Sequence, residues 1–238
     1  MPTNLLIFIG ARAGSKGVKA KNVRPLIGKP LITHTIRQAL SWGKAKRVIV
    51  STDSAQFAQI AKKAGVQVPF LRPAELASDT ASKGMAIKHA FLKCEEIYQE
   101  KYDAVMDLDV TAPIRTNQDL TRSLAIYLKY RPKTLFSVVS AHKNPYFNMV
   151  EVNKNGEVVL CKKLKKRIFR RQDAPVVYAM NASIYIYRRD YLLKSADPSP
   201  FTDDTRLYVM DDLAGIDIDR EIDFKFIEFL AKEGLVKL

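Results

Sequence analysis

Cysteine is scarce. The 238 residues contain only Cys94 and Cys161, far apart and in no metal-ligand spacing, which argues against a disulfide framework and agrees with a reducing compartment. The three histidines, His34, His89 and His142, are equally scattered, so a zinc site is not expected. Long hydrophobic runs are missing too: Leu5–Ile9 is far too short to cross a bilayer. Met1–Pro2–Thr3–Asn4 leads straight into that strand-like stretch without the pattern of a signal peptide, and the expected location is cytoplasmic. No Ser-His-Asp or Cys-His nucleophile system is visible, which favours direct displacement over a covalent intermediate.

Acidic charge is in deficit: 39 Lys and Arg face 25 Asp and Glu, a net charge of +14. Such a surface suits either nucleic acid or polyanionic small molecules. The densest run, Lys162-Lys163-Leu164-Lys165-Lys166-Arg167, continues to Arg170 and Arg171. No RNA-binding signature or helix-turn-helix pattern accompanies it, so nucleic acid is the weaker reading.

Hydrophobic residues make up 47% of the chain, enough for one large domain with a small appended lobe. Leu5–Ile9, Arg47–Ser51, Val66–Leu71, Ala104–Leu108 and Leu135–Ser140 read as strands apolar on both faces. Helical patterns separate them: Ser54 to Lys63, an apolar face built on Ile87, Ala90, Phe91 and Cys94, and a capping box at Thr116–Asp119. The alternation predicts a three-layer, mostly parallel, Rossmann-like α/β sheet. After Ala141 the pattern changes to a hairpin closed by Asn155-Gly156, with further strand character at Val176–Tyr178, Ser183–Tyr187, Leu207–Met210 and Ile216–Ile218. The expected organisation is an α/β domain over 1–140 and 183–238, with a β-rich lobe inserted at 141–182.

Open parallel sheets bind ligands at the carboxyl ends of their strands. There, after the first strand, stands Gly10-Ala-Arg-Ala-Gly-Ser-Lys-Gly-Val-Lys-Ala-Lys-Asn22. Its glycines let backbone amides approach an anion, while Arg12, Lys16, Lys19 and Lys21 supply charge. The spacing is that of neither a P-loop nor a dinucleotide fingerprint. Asp217 and Asp219 flank Ile218, so strand alternation would turn both carboxylates to one side, a pattern suited to Mg²⁺. Asp107 and Asp109 repeat the spacing. A nucleotidyl transfer needs both signs of charge, because the attack builds negative charge on the phosphoryl oxygens and the pyrophosphate.

The Gly10–Asn22 loop, followed by Arg24-Pro-Leu-Ile-Gly-Lys-Pro-Leu31, resembles the N-terminal signature of the acylneuraminate cytidylyltransferases, the CMP-sialic acid synthetases. Val48–Asp53, Leu71–Ser82 and Ile216–Asp223 agree with further blocks of that family in the same order. The resemblance implies the nucleotide-diphospho-sugar transferase fold, CTP and an acidic 2-keto sugar as substrates, Mg²⁺ as cofactor, and a homodimer in which the inserted lobe reaches the partner's sugar site. It implies that Arg12, Gly14, Ser15, Lys16, Lys21 and Asn22 hold the nucleotide, and that Arg72, Ala81 and Ser82 read its base. Lys21, Asp217 and Asp219 form the implied catalytic group, the two aspartates holding the metal.

The acceptor side departs from the family. Asp109-Val-Thr-Ala-Pro-Ile-Arg115 replaces a segment that usually opens with Gln, so Asp109 is expected to contact either metal or sugar. Phe147 stands where a sugar-contacting Lys is common, and Ala179-Met-Asn-Ala182 retains only Asn181 of an Arg-Pro-Asn-Gly segment. Thr111, Phe147, Arg171 and Asn181 complete the expected sugar contacts. Kdo, or another nucleotide or sugar phosphate, stays open as an alternative substrate, as does nucleic-acid binding on a degenerate transferase scaffold.

Overall fold

Period-two alternation along the first strand sets the layering. In β1 (Leu5–Gly10), Leu5, Ile7 and Ile9 join one buried apolar cluster while Leu6 and Phe8 join another. A strand apolar on both sides must be covered on both sides. The computed structural model describes residues 3–14, 18, 20–166 and 168–238. After β1 come β2 (Pro25–Leu26), β3 (Lys29–Pro30), α1 (Leu31–Trp42), β4 (Arg47–Ser51), α2 (Ala55–Lys63) and α3 (Lys83–Tyr98). Then follow β5 (Ala104–Leu108), α4 (Asn117–Tyr130), β6 (Thr134–Ser140) and a hairpin of β7 (Val150–Val152) and β8 (Val158–Leu160). A long β9 (Tyr178–Arg188), α5 (Arg189–Lys194), β10 (Thr205–Val209) and α6 (Glu221–Lys232) complete the order.

Helices α1, α2, α4 and α6 pack on the Leu5, Ile7 and Ile9 face, and α3 with α5 covers the Phe8 face. The central sheet runs β10-β6-β9-β5-β1-β4. Every pairing in it is parallel except those of β9, which is antiparallel to both β5 and β6. This is the expected three-layer, mostly parallel α/β architecture. From β1 the chain passes outward to β4 and then back to β5 on the opposite side, so the strand order reverses between β1 and β5. In open α/β sheets the crevice at such a reversal is where ligands sit.

Local signals act where they were read. Ser54 caps α2 by accepting from Phe57 N, and Thr116 and Asp119 form both halves of the capping box that opens α4. Two expectations need correction. Residues 66–71 form no strand, only a single bridge between Ile49 and Gln67; Pro69 lacks the N–H that a continuing ladder would require. Residues 216–218 have no ladder partner either and lie extended after a 3₁₀ turn at Asp212–Gly215, held by Ile218 N donating to Thr111 O at 2.9 Å. Within the span expected for the inserted lobe, Tyr178, Ala179 and Met180 pair with β6. Among the described residues no helix is long and apolar enough to cross a membrane.

Candidate active site

The loop after β1 is tied down from below. Ala13 N donates to Asp53 Oδ1 at 2.9 Å, just beyond β4, and the buried Asn22 donates from Nδ2 to Arg12 O at 3.0 Å. Asn22 therefore holds the loop's shape from inside, besides lining the cleft above. Gly10 is needed for space: a Cβ there would lie 2.8 Å from the Phe8 ring and 3.2 Å from Arg72 Nη2. Ser15 and Lys16 lie outside the described residues. Gly14 is described, with nothing crowding the place of a Cβ.

Arg72 is the cleft's buried cation. It is 9% exposed, donates from Nε and Nη2 to Ser51 Oγ and Ser51 O at 3.1 and 2.7 Å, and lies over the Phe8 ring. No carboxylate pairs with it in the described structure, and burial lowers its pKa. Burying a guanidinium without an acid partner is costly, and the two hydrogen bonds use two of its five N–H groups. Across the mouth, Arg12 Nη1 reaches both Ser78 O and Asp79 Oδ1 at 3.0 Å, joining the loop to the segment before α3. Ser82 caps α3 by accepting from Met85 N, and its hydroxyl also meets Asp197.

The floor is acidic. Asp107 is fully buried on the α3 side of β5, and Asp109 follows at the strand end. Lys83 Nζ lies 2.6 Å from Asp107 Oδ2 and 2.7 Å from Asp109 Oδ2. Burial opposes the Lys83 charge, but the two carboxylates outweigh it and raise its pKa. Burial also works against the charge on Asp109, yet Lys83 and Thr111 bring its carboxyl down to about 2. Its Oδ1 accepts from both Thr111 N and Thr111 Oγ1 at 2.9 Å. Underneath, the buried Arg115 donates to the carbonyls of Asp109, Ala112 and Ser183 and to Thr35 Oγ1. Arg115 is thus a structural cation, without access to a ligand.

The second acidic arm arrives from the C-terminal part. Ile218 is buried in the core, leaving Asp217 half-buried and Asp219 exposed on either side of it. Asp223 at the start of α6 accepts from Asp219 N and Arg220 N at 3.2 and 2.8 Å, which anchors the arm. Lys21 Nζ spans the gap to the phosphate loop, donating to Ile218 O at 2.7 Å and Asp219 Oδ1 at 3.1 Å. Burial raises the Asp217 pKa, and Asp217 Oδ1 is buried with no hydrogen-bond partner among the described residues. Those residues contain no group of three metal-ligating side chains. Mg²⁺ usually needs only one or two carboxylates beside substrate phosphates and waters, so an orphaned carboxylate oxygen next to an exposed carboxylate fits such an ion. Together these parts enclose a cleft of about 440 Å³ that Arg12, Lys21, Arg72, Lys83, Asp109 and Asp219 line with charge.

The family model described as cytidylyltransferase matches residues 6–232. The chain belongs to the cytidylyltransferase family. A post-translational flagellin modification protein B from Campylobacter coli is 42% identical, over 97% of this chain and 96% of that protein. A CMP-N,N'-diacetyllegionaminic acid synthase from Campylobacter jejuni is 41% identical, over 95% and 94%. Among solved structures, a CMP:2-keto-3-deoxy-manno-octonic acid synthetase complexed with CTP superposes with a TM-score of 0.70 at 17% identity, covering 98% of this chain and all of the other. That last likeness is one of fold.

For a cytidylyltransferase, the expected nucleotide side is well assembled: Arg12, Lys21, Asn22, Arg72, Ala81 and Ser82 all line the cleft, with Asp109, Thr111 and Asp219. The expected sugar side is not. Phe147 belongs to a separate groove in the lobe, and Arg171 to a third hollow, where it donates to Ala141 O at 2.8 Å. Asn181 is buried, accepting from Ser137 Oγ and donating to Ala214 O and Met210 Sδ. Its polar atoms are engaged inside the protein, where it holds β9 against β6 and the turn at 212–215. Lys83 was missed. The available signal was a lysine in the first turn of a helix, the end of the dipole where a cation is disfavoured unless acids compensate it.

Gly10→Ala should test the cleft's crowding. The methyl must displace the buried Phe8 or Arg72, so the KM for nucleotide is expected to rise and Tm to fall by a few degrees. An unchanged KM in steady-state kinetics would show that the methyl is accommodated without disturbing the nucleotide site.

Proposed function

We propose that this cytidylyltransferase transfers CMP from CTP to the anomeric hydroxyl of an acidic 2-keto sugar of the neuraminic, legionaminic or pseudaminic acid type. The hydroxyl oxygen forms a bond to the α-phosphorus as the bond from that phosphorus to the pyrophosphate oxygen breaks. The hydroxyl proton is lost and pyrophosphate leaves. The observation that carries this reading is one crevice at the β1/β5 reversal lined by Arg12, Lys21 and Arg72 together with Asp109 and Asp219. The relatives' names support the acceptor class: besides the legionaminic acid synthases, a pseudaminic acid cytidylyltransferase from Campylobacter jejuni is 29% identical.

Arg12 and Lys21 would meet the triphosphate, and the buried Arg72, which lines the same cleft as Ala81 and Ser82, would meet the base. Asp217 and Asp219 would hold Mg²⁺, which when bound offsets charge on the α-phosphate and the departing pyrophosphate. The protein's own part is positioning and electrostatics. Homodimer formation through the lobe is part of the same reading. A two-stranded hairpin is marginal alone, and Val150, Val152, Val158 and Phe169 leave it 61–76% exposed, an apolar surface suited to a second copy.

A pyrophosphate-release assay with CTP, Mg²⁺ and a panel of legionaminic, pseudaminic, neuraminic and eight-carbon Kdo acceptors tests the proposal. Release with a nine-carbon acid, abolished by a chelator, is the expected result. Release with Kdo alone would move the acceptor class. No release with any sugar or nucleotide, beside salt-sensitive RNA binding, would overturn the enzyme assignment.

A further inference from the structure

Most of the charged groups in the cleft have an assigned task, but Lys83 does not. Its ammonium sits between two carboxylates, 2.6 Å from Asp107 and 2.7 Å from Asp109, and 5.0 Å from the centre of the Tyr185 ring. Asp107 occupies a position that the strand alternation would give to an apolar residue, since Val105 on the same face belongs to the core. Two carboxylates this close repel each other, and a cation between them relieves the repulsion. A divalent ion is the usual solution in a site that handles phosphates. Here the protein supplies its own.

The lysine is also held in place. Ser82 before it caps α3 and meets Asp197, and Gly84 after it packs so closely that a Cβ would lie 1.8 Å from Pro198 O. The first turn of α3 therefore cannot draw back, and the ammonium is fixed over the floor of the cleft.

We propose that Lys83 takes the place of a second divalent cation: it fills the gap between Asp107 and Asp109 and confines metal to the Asp217/Asp219 arm. Lys83 acts through Asp109 and is a positioning residue. The inference shares with the proposed function the assignment of metal to Asp217 and Asp219, and the measurements below separate the two.

Mn²⁺ binding to the full chain, counted by electron paramagnetic resonance with a nonhydrolysable CTP analogue present, reads the proposal directly. Lys83→Met is expected to bind one Mn²⁺ more than the wild type, Lys83→Arg to keep the wild-type count, and Lys83→Met/Asp109→Asn to lose the added ion. Mn²⁺ should also raise the Tm of Lys83→Met more than that of the wild type. An unchanged count in a folded Lys83→Met protein would overturn the proposal. Should that variant not fold, Asp109→Asn in the otherwise native chain decides: no loss of Mn²⁺ supports the proposal, and loss of an ion shows that Asp109 already carries metal. Asp219→Asn tests the shared assignment separately, because it should remove the ion that the wild type binds whatever Lys83 does.

Discussion

Asp219→Asn is expected to lower kcat roughly a thousandfold while leaving the fold intact, because a metal ion contributes several kcal/mol of transition-state charge stabilisation and each factor of ten corresponds to about 1.4 kcal/mol. The carboxylate is 73% exposed and its side-chain ion pair in the described structure is with Lys21. Exposed ion pairs contribute little to stability, so circular dichroism and Tm should match the wild type. The substitution also frees Lys21 Nζ from one of its two acceptors, leaving Ile218 O. A rise in the KM for CTP is therefore expected beside the fall in kcat. Near-normal turnover at saturating Mg²⁺ would remove Asp219 from the metal site, and a large loss of Tm would assign it a structural role.

Arg115→Met is expected to have the largest effect on stability. The guanidinium is 3% exposed and donates to carbonyls on two different segments and to Thr35 of α1. Burial lowers its pKa to about 10, which still leaves it charged at neutral pH. The substitution leaves buried acceptors unpaired and removes a positive charge near Asp107 and Asp109, both of which favour its ionised form. Removing one member of a buried charged network costs about 3–5 kcal/mol. At roughly 2–4 °C per kcal/mol for a chain of this size, Tm should fall by about 10 °C. Calorimetry checks this directly. Arg115→Lys, which keeps the charge but not the planar fork, should lie between the two. A fall of only a degree or so would mean that water replaces the lost donors.

Those features that depend on neighbours along the chain were legible in the sequence. The Thr116–Asp119 cap and the Ser54 cap act within a few residues, and each is where the pattern puts it. Features that depend on a distant partner were less so. Residues 66–71 and 216–218 have the apolar character of strands, but a strand also needs a ladder of bonds to a neighbour, and each makes a single backbone bond to a distant segment, Gln67 O accepting from Val50 N and Ile218 N donating to Thr111 O. Lys83 acquires its meaning from residues 24 and 26 positions later, brought beside it by the packing of α3 on β5. Asn181 shows the opposite error. Its place in the family pattern suggests a ligand contact, whereas burial and four internal hydrogen-bond partners tie it into the frame.

The position of β9 has a consequence for how the molecule is made. The strand lies between β5 and β6, yet it follows them in the chain by way of the whole inserted lobe. Until residues 178–188 have left the ribosome, the sheet exists as two separated pieces, β4-β1-β5 and β6, with an open edge on each. The loop after β1 can take shape during that interval, but the Asp217/Asp219 arm cannot dock, because it rests on Thr111 and follows β10, the strand beside β6. Long-range pairings of this kind slow folding and expose strand edges for longer. The chain therefore acquires its two carboxylate arms in order of synthesis, and a competent cleft is among the last things to form.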